Sequence, residues 1–222
     1  MESKASVTHL NAARATASTL GVLAGLGGIT HGIGEILQGN IAPSGLMIYS
    51  WTQGPIATTM GGEPAMTIVP NLFITGVLTV LVSFAVLVWS AAFVQMKNGG
   101  WVLILLSIFM LLVGGGFAPP IMGVLAGVAG FGINASYTWW RKHLSINVRR
   151  KLATAWPWTF GVCVIDGVFL VVGSVILVFF FSVNNPDLFV SCFFIAVAVV
   201  PFAIFTGIAY DIQNREVVRV NG

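Results

Sequence analysis

The sequence predicts an all-α bundle of six transmembrane helices in a single domain spanning residues 1–222, and three observations carry that prediction. The first is composition: 57% of the 222 residues are apolar and mean hydropathy is +0.94. Charged residues are only 8% of the chain, where a soluble domain carries about 25%. The second is a series of six continuous apolar runs, each near the roughly 20 residues that a helix needs to cross hydrocarbon. The third is charge placement. When the runs are threaded back and forth, all ten Lys and Arg fall on one side. So few charges exclude a soluble enzyme, and the two cysteines exclude a disulfide scaffold. The runs are too long and too continuous for the alternating strands of a β-barrel.

The expected spans run approximately over 14–37, 71–95, 101–117, 120–139, 157–181 and 188–210. The first is rich in glycine and carries His31 and Glu35, so an interfacial segment is its alternative. It does not read as a cleavable signal peptide, because no small-residue cleavage site follows a short apolar core. The second span opens at Pro70-Asn71-Leu72-Phe73 and the fifth at Pro157-Trp158-Thr159-Phe160, an echo too short to establish a repeat. Between the third and fourth, the run Gly114-Gly115-Gly116-Phe117-Ala118-Pro119-Pro120 breaks the helix. The length of the third span puts this break at the far interface and favours a tight turn, although a substrate-binding broken helix has the same signature.

Lys4 and Arg14 precede the first span, and Lys97 lies between the second and third. Arg141, Lys142, Arg149, Arg150 and Lys151 fill the basic 140–156 loop, and Arg215 and Arg219 follow the last span. Cytoplasmic loops hold the excess of Lys and Arg, so both termini are expected in the cytoplasm and the protein in the plasma membrane. The 140–156 cations act as topology determinants or as contacts for anionic lipid headgroups. The opposite loops carry only Glu63 and Asp187. The long outer loop 38–70, with four prolines and several large apolar residues, is expected to cover the mouth of the bundle or dip into the interface.

Ionisable groups inside a span are costly and face the bundle interior. His31, Glu35 and Gln38 lie four and three residues apart on one helical face. Together with Asp166, near the middle of the fifth span, they are the candidate proton, ion or solute path; an interhelical hydrogen-bond clamp is the structural alternative. His31 and Asp166 should differ in depth by about 10 Å. Asp211, after Tyr210, is expected at the interface. Gly21, Gly25, Gly28 and Gly32 form one small-residue face, and Gly123 and Gly127 another. In lipid such faces drive close helix approach, either within one bundle or between copies.

No metal site, nucleotide loop or nucleophile motif is visible, and no cofactor or nucleic acid is implied. Cys163 and Cys192 lie at depths too different for a disulfide. Four phrases resemble a family of short prokaryotic multispanning, six-helix integral membrane proteins to which no activity is assigned. They are Thr30-His-Gly-Ile-Gly-Glu-Ile-Leu-Gln-Gly39, Gly61-Gly-Glu-Pro64, Gly114-Gly-Gly-Phe117 with Pro119-Pro120, and Phe205-Thr-Gly-Ile-Ala-Tyr-Asp211. The resemblance implies membrane localisation. The chain has the size of the six-span acetate and urea channels but none of their motifs. The reading that follows is a small channel or secondary transporter. A scaffold or accessory subunit, binding a membrane partner or its own copies through the glycine faces and the outer loop, is the alternative.

Overall fold

The computed structural model describes residues 11–183 and 185–221, and it is nearly all helical. Lys4 and the side chain of Arg219 lie outside the described part. Four helices are long and apolar enough to cross a membrane: Ala12–Gln38, Leu72–Phe93, Ile146–Phe180 and Pro186–Glu216. We label α1 as Ala12–Gln38 and α3 as Leu72–Val88, which ends in a π-helical turn at Trp89–Phe93. Next come α4 (Gly99–Leu112) and α5 (Ala118–Phe131), then a short α6 (Thr138–His143). Helix α7 (Ile146–Val168) passes through a second π-turn at Phe169–Gly173 into α8 (Ser174–Phe180), and α9 covers Pro186–Asn221. The segment between α1 and α3 holds strands β1 (Met47–Tyr49) and β2 (Pro64–Met66), with the short α2 (Gly54–Thr59) between them.

Helix α1 runs through the centre, and backbone proximity explains its glycines. A methyl group on Gly32 would come within 2.8 Å of the Gly76 carbonyl on α3, and one on Gly76 within 2.5 Å of the Gly32 carbonyl. Gly25 faces the Ser83 carbonyl and Leu87, Gly28 faces Ser83 and Met110, and Gly21 faces Ser90. The second glycine face joins α5 to α4: Gly127 lies against the Gly100 carbonyl and Ile104, and Gly123 against Ser107. Both faces therefore lie against neighbouring helices of the same chain. The core around them is made of small and branched groups, including Ala17, Leu20, Ala24, Val86, Leu103 and Ala126. Helix α9 pairs with α7, where the Thr159 and Thr206 hydroxyls meet at 2.9 Å.

The helices differ from the sequence reading in three places. Helices α4 and α5 have 14 residues each, about 21 Å, and end short of the expected 117 and 139 boundaries. The 140–156 segment is a helix–turn–helix and not a loop, because Ser145 caps the next helix by accepting the Val148 N–H. Pro157 consequently sits inside α7, whereas Asn71 does cap α3, so the echo between the two segments has no structural counterpart. Asp211 is enclosed by protein. Its carboxylate accepts the N–H groups of Ala12 (2.7 Å) and Ala13 (3.0 Å) at the start of α1.

That last contact closes one end of the bundle. Asn11 accepts the Arg14 N–H, so α9 and the N-cap together serve the first turn of α1, which has no acid of its own. Arg215, one turn beyond Asp211, donates to the carbonyls of Ala135 and Ile133 and lies 5.1 Å above the Tyr137 ring. Burial and then the Asp211 carboxylate push the Tyr137 phenol well above its usual range, so it remains a donor, bonded to the Gly132 carbonyl at 2.7 Å. Replacing Asp211 with Ala orphans two buried N–H groups. Asp211→Ala should therefore lower stability by about 2 kcal/mol, with Asp211→Asn losing less. The unfolding midpoints of the three proteins in detergent measure this; equal midpoints would refute the cap.

Candidate functional site

The opposite end of the bundle gathers the polar residues. His31 and Glu35 lie one turn apart near the end of α1, on the face that the sequence marks as polar. Strand alternation supplies the next group. Along β1, Met47 and Tyr49 are exposed while Ile48 is buried, and the following Ser50 is fully buried. The antiparallel partner β2 places Ala65 opposite Ile48, and the Ser50 N–H donates to the Glu63 carbonyl at 3.1 Å. Gly61, Gly62 and Glu63 all have positive φ, at 63°, 74° and 51°. A glutamate held there is strained, and such strain clusters at functional sites.

These elements form a hydrogen-bonded chain of polar groups, with Glu63 beside its end but beyond hydrogen-bond distance. Glu63 Oε2 lies 3.7 Å from His31 Nε2. His31 Nδ1 lies 2.8 Å from Ser50 Oγ. Ser50 donates to Glu35 Oε1 at 3.1 Å, and Thr79 of α3 donates to Glu35 Oε2 at 3.2 Å. The Thr79 hydroxyl also lies 2.5 Å from the Val113 carbonyl. His31, Glu35, Ser50 and Thr79 are all buried.

The α4–α5 turn closes the chain from its other side. A side-chain carbon on Gly114 (φ +111°) would fall 2.5 Å from the Glu35 carboxylate, and one on Gly116 (φ +74°) would strike the His31 ring. These two glycines are needed both for the left-handed backbone and for the space. The hairpin is fastened above. Gln38 donates to the carbonyls of Tyr49 and Ser50, each at 2.9 Å, and Thr67 meets Thr75 at 3.0 Å. The Ile68 N–H donates to the Leu112 carbonyl at 3.0 Å.

His31, Glu35 and Gln38 are thus brought together, and Asp166 stands apart. Its neighbour Gly167 packs on Leu23, eight residues before His31 on α1, or about 12 Å lower. The Asp166 Oδ2 is buried without a hydrogen-bond partner among the described residues. Both cysteines are free. Sequence reasoning missed Ser50, Glu63, Thr79 and the roles of Gly114 and Gly116. The alternation of residues 47–50 and the Thr75, Thr79, Ser83 spacing on α3 are the signals that could have found two of them. No group of three metal-ligating side chains forms among the described residues. A cavity of about 20 Å³ lies near the start of α1, lined by Ala13, Thr16, Val128, Ala129, Gly132, Ile204 and Ile208. It has room for about one water and does not touch the His31 chain.

Ser50 beside His31 has the composition of a nucleophile and base, but its hydroxyl is buried and bonded on both sides. No protein-family model matches the chain, and neither a curated protein nor a solved structure matches it. Ser50→Ala would leave His31 Nδ1 and Glu35 Oε1 without partners. It should cost about 1–3 kcal/mol and raise the amide hydrogen exchange of residues 46–67 before that of α3. Unchanged exchange in that segment would show that Ser50 does not hold the hairpin down.

Proposed function

We propose that this integral membrane protein is a proton-linked secondary transporter, with the His31–Ser50–Glu35 chain as its proton-exchanging station. One observation carries the reading. Ser50 has a single hydroxyl proton and two partners, His31 Nδ1 and Glu35 Oε1. With both ring nitrogens protonated, Ser50 accepts from His31 Nδ1–H and donates to the Glu35 carboxylate. When that proton passes along the row to Glu35, His31 keeps its Nε2 proton as a neutral ring and every bond in the row reverses. Thr79 faces the same choice between Glu35 and the Val113 carbonyl. A buried row with two complete hydrogen-bond arrangements moves a proton without exposing a charge to lipid. Glu63, on the hairpin, stands 3.7 Å beyond the His31 end of that row, at a distance that attracts a charged ring without bonding to it.

In this reading the six apolar helices are six crossings. Helices α4 and α5 are short because their turn lies beneath the hairpin, which occupies the remaining depth. The basic end faces the cytoplasm. Support comes from where the described cations sit: Arg14, Lys97, Arg141, Lys142, Arg149, Arg150, Lys151 and Arg215 lie on elements that meet around the start of α1 and the end of α9. The hairpin end carries Glu63. The scaffold alternative draws less support, since the glycine faces it would use are filled by α3 and α4.

The test is solute uptake and proton flux in proteoliposomes under an imposed pH gradient, across a panel of small organic solutes. Glu35→Gln, which keeps the volume and removes the exchangeable proton, should lower coupled flux at least ten-fold. Asp166→Asn should leave it near wild type, because Asp166 lies outside the row. Equal flux in wild type and Glu35→Gln, or no flux in folded wild type, would overturn the proposal.

A further inference from the structure

The end of the bundle opposite the hairpin carries a surface that the transport reading does not use. At the α6–α7 corner, the Arg149 side chain turns inward to Glu216, 2.6 Å away. Its neighbours Arg150 and Lys151 are exposed, as is Lys142 on α6. No salt bridge reaches any of these three from the described residues. Among the described residues, the acids of α9 beyond its midpoint are engaged elsewhere: Asp211 with the start of α1, and Glu216 with Arg149.

An apolar stripe runs from these cations along α7. Residues seven apart lie on one helical face, so Lys151 is followed by Trp158 and Ile165. Trp158 is 79% exposed and Ile165 73%. The order along the helix is a cation, then an indole about 10 Å further in, then an aliphatic group. That is the order of phosphate, glycerol region and acyl chain in a phospholipid. Trp139 on α6, 61% exposed, adds a second indole at the cationic level.

We infer that the outer face of α7 is a seat for an anionic phospholipid, with its phosphate on Lys142, Arg150 and Lys151 and its acyl chain along Trp158 and Ile165. Charge decides the headgroup, because three exposed cations without an acidic partner select a net-negative lipid over a zwitterionic one. The stripe decides the source, because a free phosphate ion has nothing to place against Trp158 and Ile165. This seat is independent of the His31 chain, which lies at the other end of the bundle.

The purified full chain would be titrated with phosphatidylglycerol and phosphatidylcholine in mild detergent, with bound lipids counted by native mass spectrometry. Wild type should retain phosphatidylglycerol in clear preference. Lys142→Gln, Arg150→Gln and Lys151→Gln should each reduce that preference about five-fold, and the triple variant about a hundred-fold. Lys97→Gln, at the same end but off this face, should leave it unchanged. Trp158→Ala should weaken both lipids alike, and elution as a single folded species checks every variant. Equal retention of the two lipids by wild type would overturn the inference. So would a Lys97→Gln effect as large as that of Lys151→Gln, or displacement of phosphatidylglycerol by millimolar inorganic phosphate, which would mark a bare anion site.

Discussion

A carboxyl group on a membrane helix must find its hydrogen-bond partners within the protein, because lipid offers none. Glu35 sets that demand here, and three otherwise separate segments meet to satisfy it. Helix α3 brings Thr79, the β1 strand brings Ser50, and the α4–α5 turn brings a glycine small enough to lie against the carboxylate. The rest of the hairpin end follows from this. The strands must be short, so that their one buried face covers His31 and Glu35 without extending the bundle. The Gly114–Gly116 turn must lie low, which is why α4 stops at Leu112. Of the backbone groups freed by that stop, the Leu112 carbonyl takes the Ile68 N–H, and the Val113 carbonyl competes with Glu35 for the Thr79 hydroxyl.

The same economy of space governs the bundle middle. Without a hydrophobic drive between helices, close contact must come from shape. Gly32 and Gly76 let two backbones touch, and Gly100 and Gly127 do the same for the next pair. Hydroxyls on Thr75, Thr79, Ser83 and Ser90 fill the narrow seam between α1 and α3, all of them fully buried. Their protons go to nearby acceptors, as Ser90 shows by bonding to the Val86 carbonyl at 2.7 Å. The seam is therefore tight and polar at once, and its polarity rises towards Glu35.

The helical class and the membrane character were legible because composition and run length follow from lipid as a solvent. The faces of α1 were legible because a 3.6-residue period assigns them without knowledge of the partner. Helix ends were harder to place. Pro157 looks like a start, but Ser145 caps the helix earlier and the proline is tolerated within it. The site was half visible. His31, Glu35 and Gln38 announce themselves as polar residues in an apolar run, whereas Ser50 and Glu63 lie in a loop where polar residues are ordinary. Only the strand register and the left-handed turn at Gly61–Glu63 bring them over α1. Asp166 shows the opposite case: it is conspicuous in the sequence, yet no described partner meets its buried oxygen.

Asp211 ties the first described helix to the last. The opening turn of α1 leaves N–H groups that no residue of α1 serves fully, and the acceptor for two of them is 199 and 198 positions further along the chain. Asp211 is therefore made only after the helices that lie between it and α1 in the chain. Until α9 is in place, the first turn of α1 lacks two of its acceptors, so this end of the bundle is complete only with α9 packed against it. The carboxylate thus makes the start of one helix depend on the presence of another far along the chain.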